Sequence, residues 1–306
     1  MNNFGEKQFS LLLGNGFDLS LGLRTRYSDF ANSDEWKELY ANFNDKKRKP
    51  SLLKFLKYKS NIDDWFDIEQ ALYEYARFDN HDAAYRNVGK DEMEFTALCH
   101  ALGKYLKKHV GSRSHSLAGK AGTQLLQKLQ WVQNKRIYTF NYTPLDILQD
   151  VMGIHPVMEA IYIHGKANDN SLILGFETNR VNDIIPGYSF LLKSYNPSYS
   201  SIELFQDMKM SDEVIIFGHS MNMMDSVYFD DFLRELISNQ ASKHKVTIFC
   251  EDEASKNSIL DNIKNMGISI PKLFQYGKLE FILTENIKDD TKDQIAFEKL
   301  LDRITD

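Results

Sequence analysis

Cysteine is scarce in this 306-residue chain: there are two, Cys99 and Cys250, far apart. That scarcity excludes a zinc module built on paired Cys-x-x-Cys motifs and a disulfide-stapled scaffold. Two distant thiols fit a reducing compartment. Cys99 falls on an apolar helical face and Cys250 ends an apolar strand, so both read as packing residues. No apolar run approaches the ~20 residues that cross a bilayer. The opening Met-Asn-Asn-Phe-Gly-Glu-Lys has no signal-peptide core, so the expected location is the cytoplasm, with no membrane partner. A net charge of −6 gives no global basic footprint, and nucleic acid is not an expected partner. There is no internal repeat and no low-complexity segment. What the chain does have is 42% hydrophobic residues, with 20 Phe and 15 Tyr, sufficient for a substantial core. Length and composition fit one α/β domain over residues 1–306 rather than two independent domains.

Charge is uneven locally. Asp45 to Lys59 holds seven basic residues against one acid, with Phe55 and Tyr58 interleaved. It reads as a solvated loop entering a helix whose Leu52, Leu53 and Leu56 face inward; contact with nucleic acid or an acidic partner is the other reading. Residues 26–132 carry apolar positions at helical spacing almost throughout, including a stripe of Phe95, Leu98, Cys99, Leu102, Tyr105 and Leu106. Such a stripe reads as core rather than as a ligand box. The block is expected to form a large helical insertion after the first strand, a cap subdomain beside the pocket.

The apolar run Phe9 to Leu13 breaks into Gly14-Asn15-Gly16-Phe17-Asp18, a strand ending in a Gly-x-Gly turn. Glycine lets the main chain approach a ligand closely and aim its N–H groups at phosphate. The dinucleotide fingerprint is incomplete, because its third glycine position holds Leu19. Three further strand patterns end in polar or glycine residues: Arg136–Phe140 at Asn141-Tyr142-Thr143-Pro144, Ala160–Ile163 at His164-Gly165, and Glu213–Phe217 at Gly218-His219-Ser220. In an open parallel sheet the ligand site lies beyond the carboxyl ends of the strands, which is where this pattern puts these residues. Thr143, Pro144 and Asp146 read as the N-cap and first turn of the next helix. Asn182 to Tyr199, rich in Asn, Ser, Tyr and Pro, reads as a mobile loop over the site.

Taken with Thr25-x-Tyr27-x-x-Phe30 and Trp65-Phe66-Asp67-Ile68-Glu69, these motifs resemble the bacterial AbiH family of abortive-infection proteins, in order from about Leu11 to Leu233. That family is in turn similar to the sirtuin-type NAD-binding fold. The resemblance implies a sirtuin-like, Rossmann-type parallel sheet and an anti-phage effector that takes NAD as substrate. It implies that Gly14, Asn15, Gly16, Phe17, Asp18, Thr139, Tyr142, Gly165, Gly218, His219 and Ser220 line the nucleotide pocket. Leu174-Gly175-Phe176-Glu177 sits where sirtuins carry a Phe-Gly-Glu segment. A phage-derived trigger and self-assembly are the partners such an effector suggests. The absent Cys pairs argue against protein deacylation and for hydrolysis.

Cleavage of the nicotinamide–ribose bond passes through an oxocarbenium-like sugar. Asn141 is expected to fix a ribose hydroxyl or the attacking water through its donor and acceptor. His164 is the expected general base, with an ordinary pKa of about 6.5. No metal is expected for this reaction. A different class of function, a metal-dependent nuclease, would use Asp18, Glu69 and Asp225 to hold a divalent ion; the same acids read equally as helix caps. A third reading is a nucleotide-binding sensor that does not cleave. His81, His100, His109, His115, His155 and His244 show no metal-ligand spacing.

Overall fold

Phe9-Ser-Leu-Leu-Leu13 is buried at every position, the signature of a strand covered on both faces. In the computed structural model it is strand β1, near the centre of the sheet. The structure describes residues 7–43, 50–63, 66–77, 86–111, 117, 119–167, 171–178, 181–199, 202–238, 244–276, 279–288 and 290–305. The other strands among them are β2 Lys135–Thr139, β3 Ile161–Tyr162, β4 Glu213–Phe217, β5 Lys245–Cys250 and β6 Leu279–Leu283. All pairings are parallel, and the order is β3-β2-β1-β4-β5-β6. This is the doubly wound order, in which the chain reverses its direction of travel between β1 and β4. The fold is therefore α/β and Rossmann-like.

Register aligns the strand ends. Leu13 pairs with Thr139 on one side and Phe217 on the other, so Gly14, Phe140 and Gly218 follow at the same level. The apolar strand faces need helices to cover them. In chain order the helices are α1 Asn15–Ser20, α2 Tyr27–Ala31, α3 Asp34–Asn42, α4 Leu52–Ile62, α5 Ile68–Ala76, α6 Val88–Gly111 and α7 Ala121–Leu129. Then follow α8 Leu145–Val151, α9 Ile202–Met210, α10 Ser226–Ser238, α11 Glu253–Asn265, α12 Ile270–Gln275 and α13 Lys292–Thr305.

The chain divides into two compact units. The first holds Met1–Leu23, Arg113–Ile163 and Ser201–Asp306; the second holds Arg24–Ser112 and His164–Ser200. Of the segment 26–132, α2 to α6 fall in the second unit and α7 in the first. In the sheet unit, Phe217 stacks on Phe249 at 4.7 Å between ring centres, and Phe249 meets Phe297 of α13 edge-on at 5.7 Å.

In the helical unit, Leu98, Leu102, Tyr105 and Leu106 of the α6 stripe are buried, as their spacing requires. So are Leu52, Leu53 and Leu56 of α4, the face expected to turn inward. The basic residues before Pro50 and the Trp65 of the third motif lie outside the described residues. Asp91 and Glu94 of α6 accept from the N–H groups of Leu52 and Leu53, satisfying two donors at the start of α4.

The segment expected as a mobile loop, 182–199, is instead packed. Its short 3-10 turns bury Ile184, Tyr188, Leu191, Leu192 and Lys193, and the Tyr188 hydroxyl donates to Asp91 at 2.6 Å. Its Asn, Ser and Pro content set the backbone turns, while the interspersed apolar residues anchor it.

Candidate functional site

At the β1–β4 crossing the three glycines are explained by backbone contact. The Gly14 N–H donates to the Phe217 carbonyl at 2.9 Å and the Gly16 N–H to the Gly218 carbonyl at 2.8 Å. A Cβ on Gly14 would lie 2.5 Å from the His219 Cα, and one on Gly16 would lie 2.7 Å from the Gly218 Cα. The turn is thus clamped to the end of β4, with both N–H groups engaged by carbonyls. Neither Gly14, at φ −106°, nor Asn15, the exposed first residue of α1, is left-handed. Left-handed backbone occurs across the crossing, at Gly218 (φ 67°) and at Met221 (φ 51°). For a buried methionine that conformation is strained.

Phe17 packs into the core, edge-on to Phe217, with Gly122 of α7 against its ring. Asp18 beside it is buried. Asn141 donates from Nδ2 to the Asp18 Oδ1 at 2.9 Å and to the Gly14 carbonyl at 2.9 Å, and the Thr143 hydroxyl contacts the Asp18 Oδ2 at 2.5 Å. Burial raises the Asp18 pKa to about 7, opposed by the hydrogen bonds from Thr143 and Asn141. The carboxyl is therefore balanced between its charged and neutral forms near neutrality.

Two expectations change here. Asn141 spends both amide protons on tying β2 to the β1 turn, so what it still offers a ligand is Oδ1, an acceptor only. Thr143 serves Asp18 rather than the helix: α8 begins one residue later, with Pro144 as its N-cap, and the Tyr162 hydroxyl meets the Leu145 N–H at 2.6 Å. Thr139 lies under this centre, its hydroxyl accepting from the Asn141 N–H. Tyr142 is buried nearby in the chain.

His219 lies against Phe140 at 4.3 Å and Phe229 at 4.9 Å. Its Nδ1 accepts from the Met221 N–H at 2.9 Å, which leaves the proton of the neutral ring on Nε2, facing the Asp225 Oδ2 at 3.3 Å. Ser220 is exposed, and its carbonyl accepts from Asn262.

The helical unit holds a second polar centre, around His164. Lys193, whose side chain is fully buried, puts its ammonium 2.8 Å from the Glu69 Oε2 and 3.1 Å from the His164 Nε2. The Tyr27 hydroxyl donates to the other Glu69 oxygen at 3.2 Å. A charged lysine can only donate, so it holds Nε2 unprotonated and the ring proton on Nδ1. Two glycines build this arrangement. Gly165, at φ 74°, closes a turn in which a Cβ would lie 1.9 Å from the Ser171 carbonyl oxygen. Gly175, at φ 142°, lets Phe176 exchange backbone hydrogen bonds with Leu191 and Lys193.

Lys193 is the residue that sequence reasoning missed. Its only signal was a lysine directly after Leu191-Leu192 in an otherwise polar stretch.

Asp18 and Glu69 lie in the first turns of α1 and α5, the latter capped by Asp67, and Asp225 directly precedes α10, in a turn capped by Asn222. Asp18, Glu69 and Asp225 each face a different partner. Among the described residues no group of three or more His, Cys, Asp or Glu side chains is placed to hold a metal ion. No helix there is long and apolar enough to cross a membrane.

No curated protein matches the sequence. The profile of the family described as Bacteriophage abortive infection AbiH does match, over residues 11–249, from β1 through β5. That span is most of the chain, and the protein belongs to the AbiH family.

Proposed function

We propose that the protein, whose membership in AbiH indicates a role in bacteriophage abortive infection, fills that role as an NAD-hydrolysing effector that breaks the nicotinamide–ribose bond. The observation that supports this reading is the β1–β4 crossing. In a doubly wound sheet of this order a dinucleotide binds beyond the strand ends at that reversal. In the proposed step the carbon–nitrogen bond breaks and its electron pair leaves with nicotinamide. Water oxygen bonds to the sugar carbon, and a base takes the water's proton. Asn141 would meet a ribose hydroxyl or the water through Oδ1, held in place by Asp18 and the Gly14 carbonyl.

His164 belongs to the helical unit, and the centre around it sets one condition on its acting as a base. A proton taken at Nε2 meets the Lys193 ammonium, so uptake there is coupled to loss of a proton from that lysine, with Glu69 as the nearest acceptor. The test is purified protein with NAD, following nicotinamide and ADP-ribose by chromatography, repeated in infected cells. Release of both products, lost in Asn141→Ala and His164→Ala, is the expected result. No loss of NAD in either setting overturns the reading.

Binding without cleavage has one observation in its favour: the N–H groups of Gly14 and Gly16 and both amide protons of Asn141 are already engaged, as in a fixed rather than a reactive centre. Saturable NAD binding by calorimetry, with no turnover, would select it.

A further inference from the structure

A groove of about 540 Å³ lies wholly within the helical unit. One wall is a face of α6. Phe95, Cys99 and Gly103 recur at four-residue spacing, and Thr96, His100, Lys104 and Lys107 form the adjoining ridge. The other wall is Leu172, Leu174, Phe190 and Leu192, with Ala167 and Asn196 at its ends. Phe95 and Phe190 touch across the gap, with ring centres 5.7 Å apart. The volume falls in the range of small-molecule sites, about 300–1,000 Å³.

Two observations say what would fill it. The first is charge: among the described residues the lining carries two lysines and a histidine and no Asp or Glu. Lys104 pairs with Glu38 at 2.7 Å, and both partners are more than half exposed. A pair so exposed is worth little and yields readily to a competing anion.

The second is Gly103. A glycine inside a helix costs roughly 0.5–1 kcal/mol relative to alanine. Here it has no left-handed backbone to justify it, and a Cβ would sit 3.8 Å from the Ala167 carbonyl oxygen, at ordinary contact. The missing side chain relieves no clash. What it does is keep the groove open between α6 and Ala167.

We propose that this groove binds a small amphipathic anion, with an apolar body on Phe95, Phe190 and Leu192 and a phosphate or carboxylate group at His100, Lys104 and Lys107. The proposal is independent of the NAD reading, and failure of either leaves the other standing.

The test uses the full chain and the fluorescent probe 1-anilinonaphthalene-8-sulfonate, an aromatic body with one anionic group. Saturable binding at one site is expected, with displacement by adenosine monophosphate if the natural body is a nucleobase and by decanoate if it is aliphatic. Lys107→Glu, at an exposed position, should weaken the probe about tenfold. Gly103→Leu should abolish binding at an unchanged melting temperature. If Gly103→Leu fails to fold, labelling of Cys99 by a maleimide in the native chain replaces it: the bound probe should slow the reaction. Non-saturable binding, displacement by neither competitor, or binding unchanged in Lys107→Glu overturns the proposal.

Discussion

Replacing Asp18 by Asn should stabilise the protein, and the gain should grow with pH. Burial lifts the Asp18 pKa from 3.8 to about 7. Between those values the folded chain holds a proton that the unfolded chain has released. The contribution of Asp18 to stability is therefore greatest below pH 3.8, falls as pH rises, and levels off above pH 7. One pKa unit corresponds to about 1.4 kcal/mol, so the cost is about 2 kcal/mol at pH 5 and about 4 kcal/mol at pH 8. Asparagine has nearly the same shape and no charge to desolvate. Its oxygen can still accept from Asn141, and its amide can donate to the Thr143 hydroxyl. Any constant offset from exchanging O–H for N–H cancels between the two pH values, as do the histidine titrations common to both proteins. Urea unfolding of Asp18→Asn and the wild type at pH 5 and pH 8 should show their difference widening by about 2–3 kcal/mol in favour of the variant. Parallel behaviour across that range would refute the raised pKa and the balanced carboxyl inferred from it.

Lys193→Met should cost about 3–5 kcal/mol in urea unfolding, because it strands the buried Glu69 carboxylate. Adding Glu69→Gln should recover part of that loss, whereas strictly additive effects would deny the pairing. Gly165→Ala combines an unsuitable φ of 74° with a Cβ 1.9 Å from a carbonyl oxygen, and should lower the melting temperature more than any other alanine substitution at a glycine of the helical unit. Gly103→Ala should raise stability by about 0.5–1 kcal/mol, since its Cβ fits and the helix prefers it. Asn141→Ala and His164→Ala should abolish phage protection. Asn141→Ala should also cost about 2–4 kcal/mol, because Asp18 and the Gly14 carbonyl both lose a donor. Full protection by a variant that melts normally would remove that residue from the mechanism.

The fold was legible because parallel strands buried on both faces read as short apolar runs. Leu11 to Leu13 and Val214 to Phe217 could be little else, and their Gly and Asn ends marked the carboxyl edge. The α6 stripe was legible for the same reason, with a period that only a helix satisfies. What composition could not resolve was 182–199, where buried Tyr188, Leu191 and Leu192 are spaced by turn residues and follow no period. Lys193 was hidden with them, since a buried lysine differs from a surface lysine only through its partners. Thr143 misled in the other direction. Thr-Pro before an apolar run is a sound helix start, but the Thr143 hydroxyl lies within reach of the buried Asp18 carboxyl and bonds to it instead.

The Gly-x-Gly turn supports less about function than its pattern suggested, and neighbouring residues support more. Gly14, Gly16 and Gly218 are required by close main-chain approach, which would hold whether or not a ligand ever bound. Packing does not account in the same way for a buried carboxyl raised to a pKa of about 7, or for a buried methionine at φ 51° three residues beyond Gly218. A core indifferent to chemistry would favour an amide at the first position and a glycine or asparagine at the second. Both features cost stability, and both flank the strand ends where a doubly wound sheet takes its ligand. The case for a site at the β1–β4 crossing therefore rests on Asp18 and Met221 rather than on the glycines. Met221→Gly and Met221→Ala together separate the two: both delete a fully buried side chain, at a cost of about 2–5 kcal/mol, but only glycine relieves the φ of 51°. If the strained backbone serves only packing, the two variants should give equal phage protection once matched for folded protein. If the strain positions His219 against Asp225 for a ligand, alanine should keep protection and glycine should lose it.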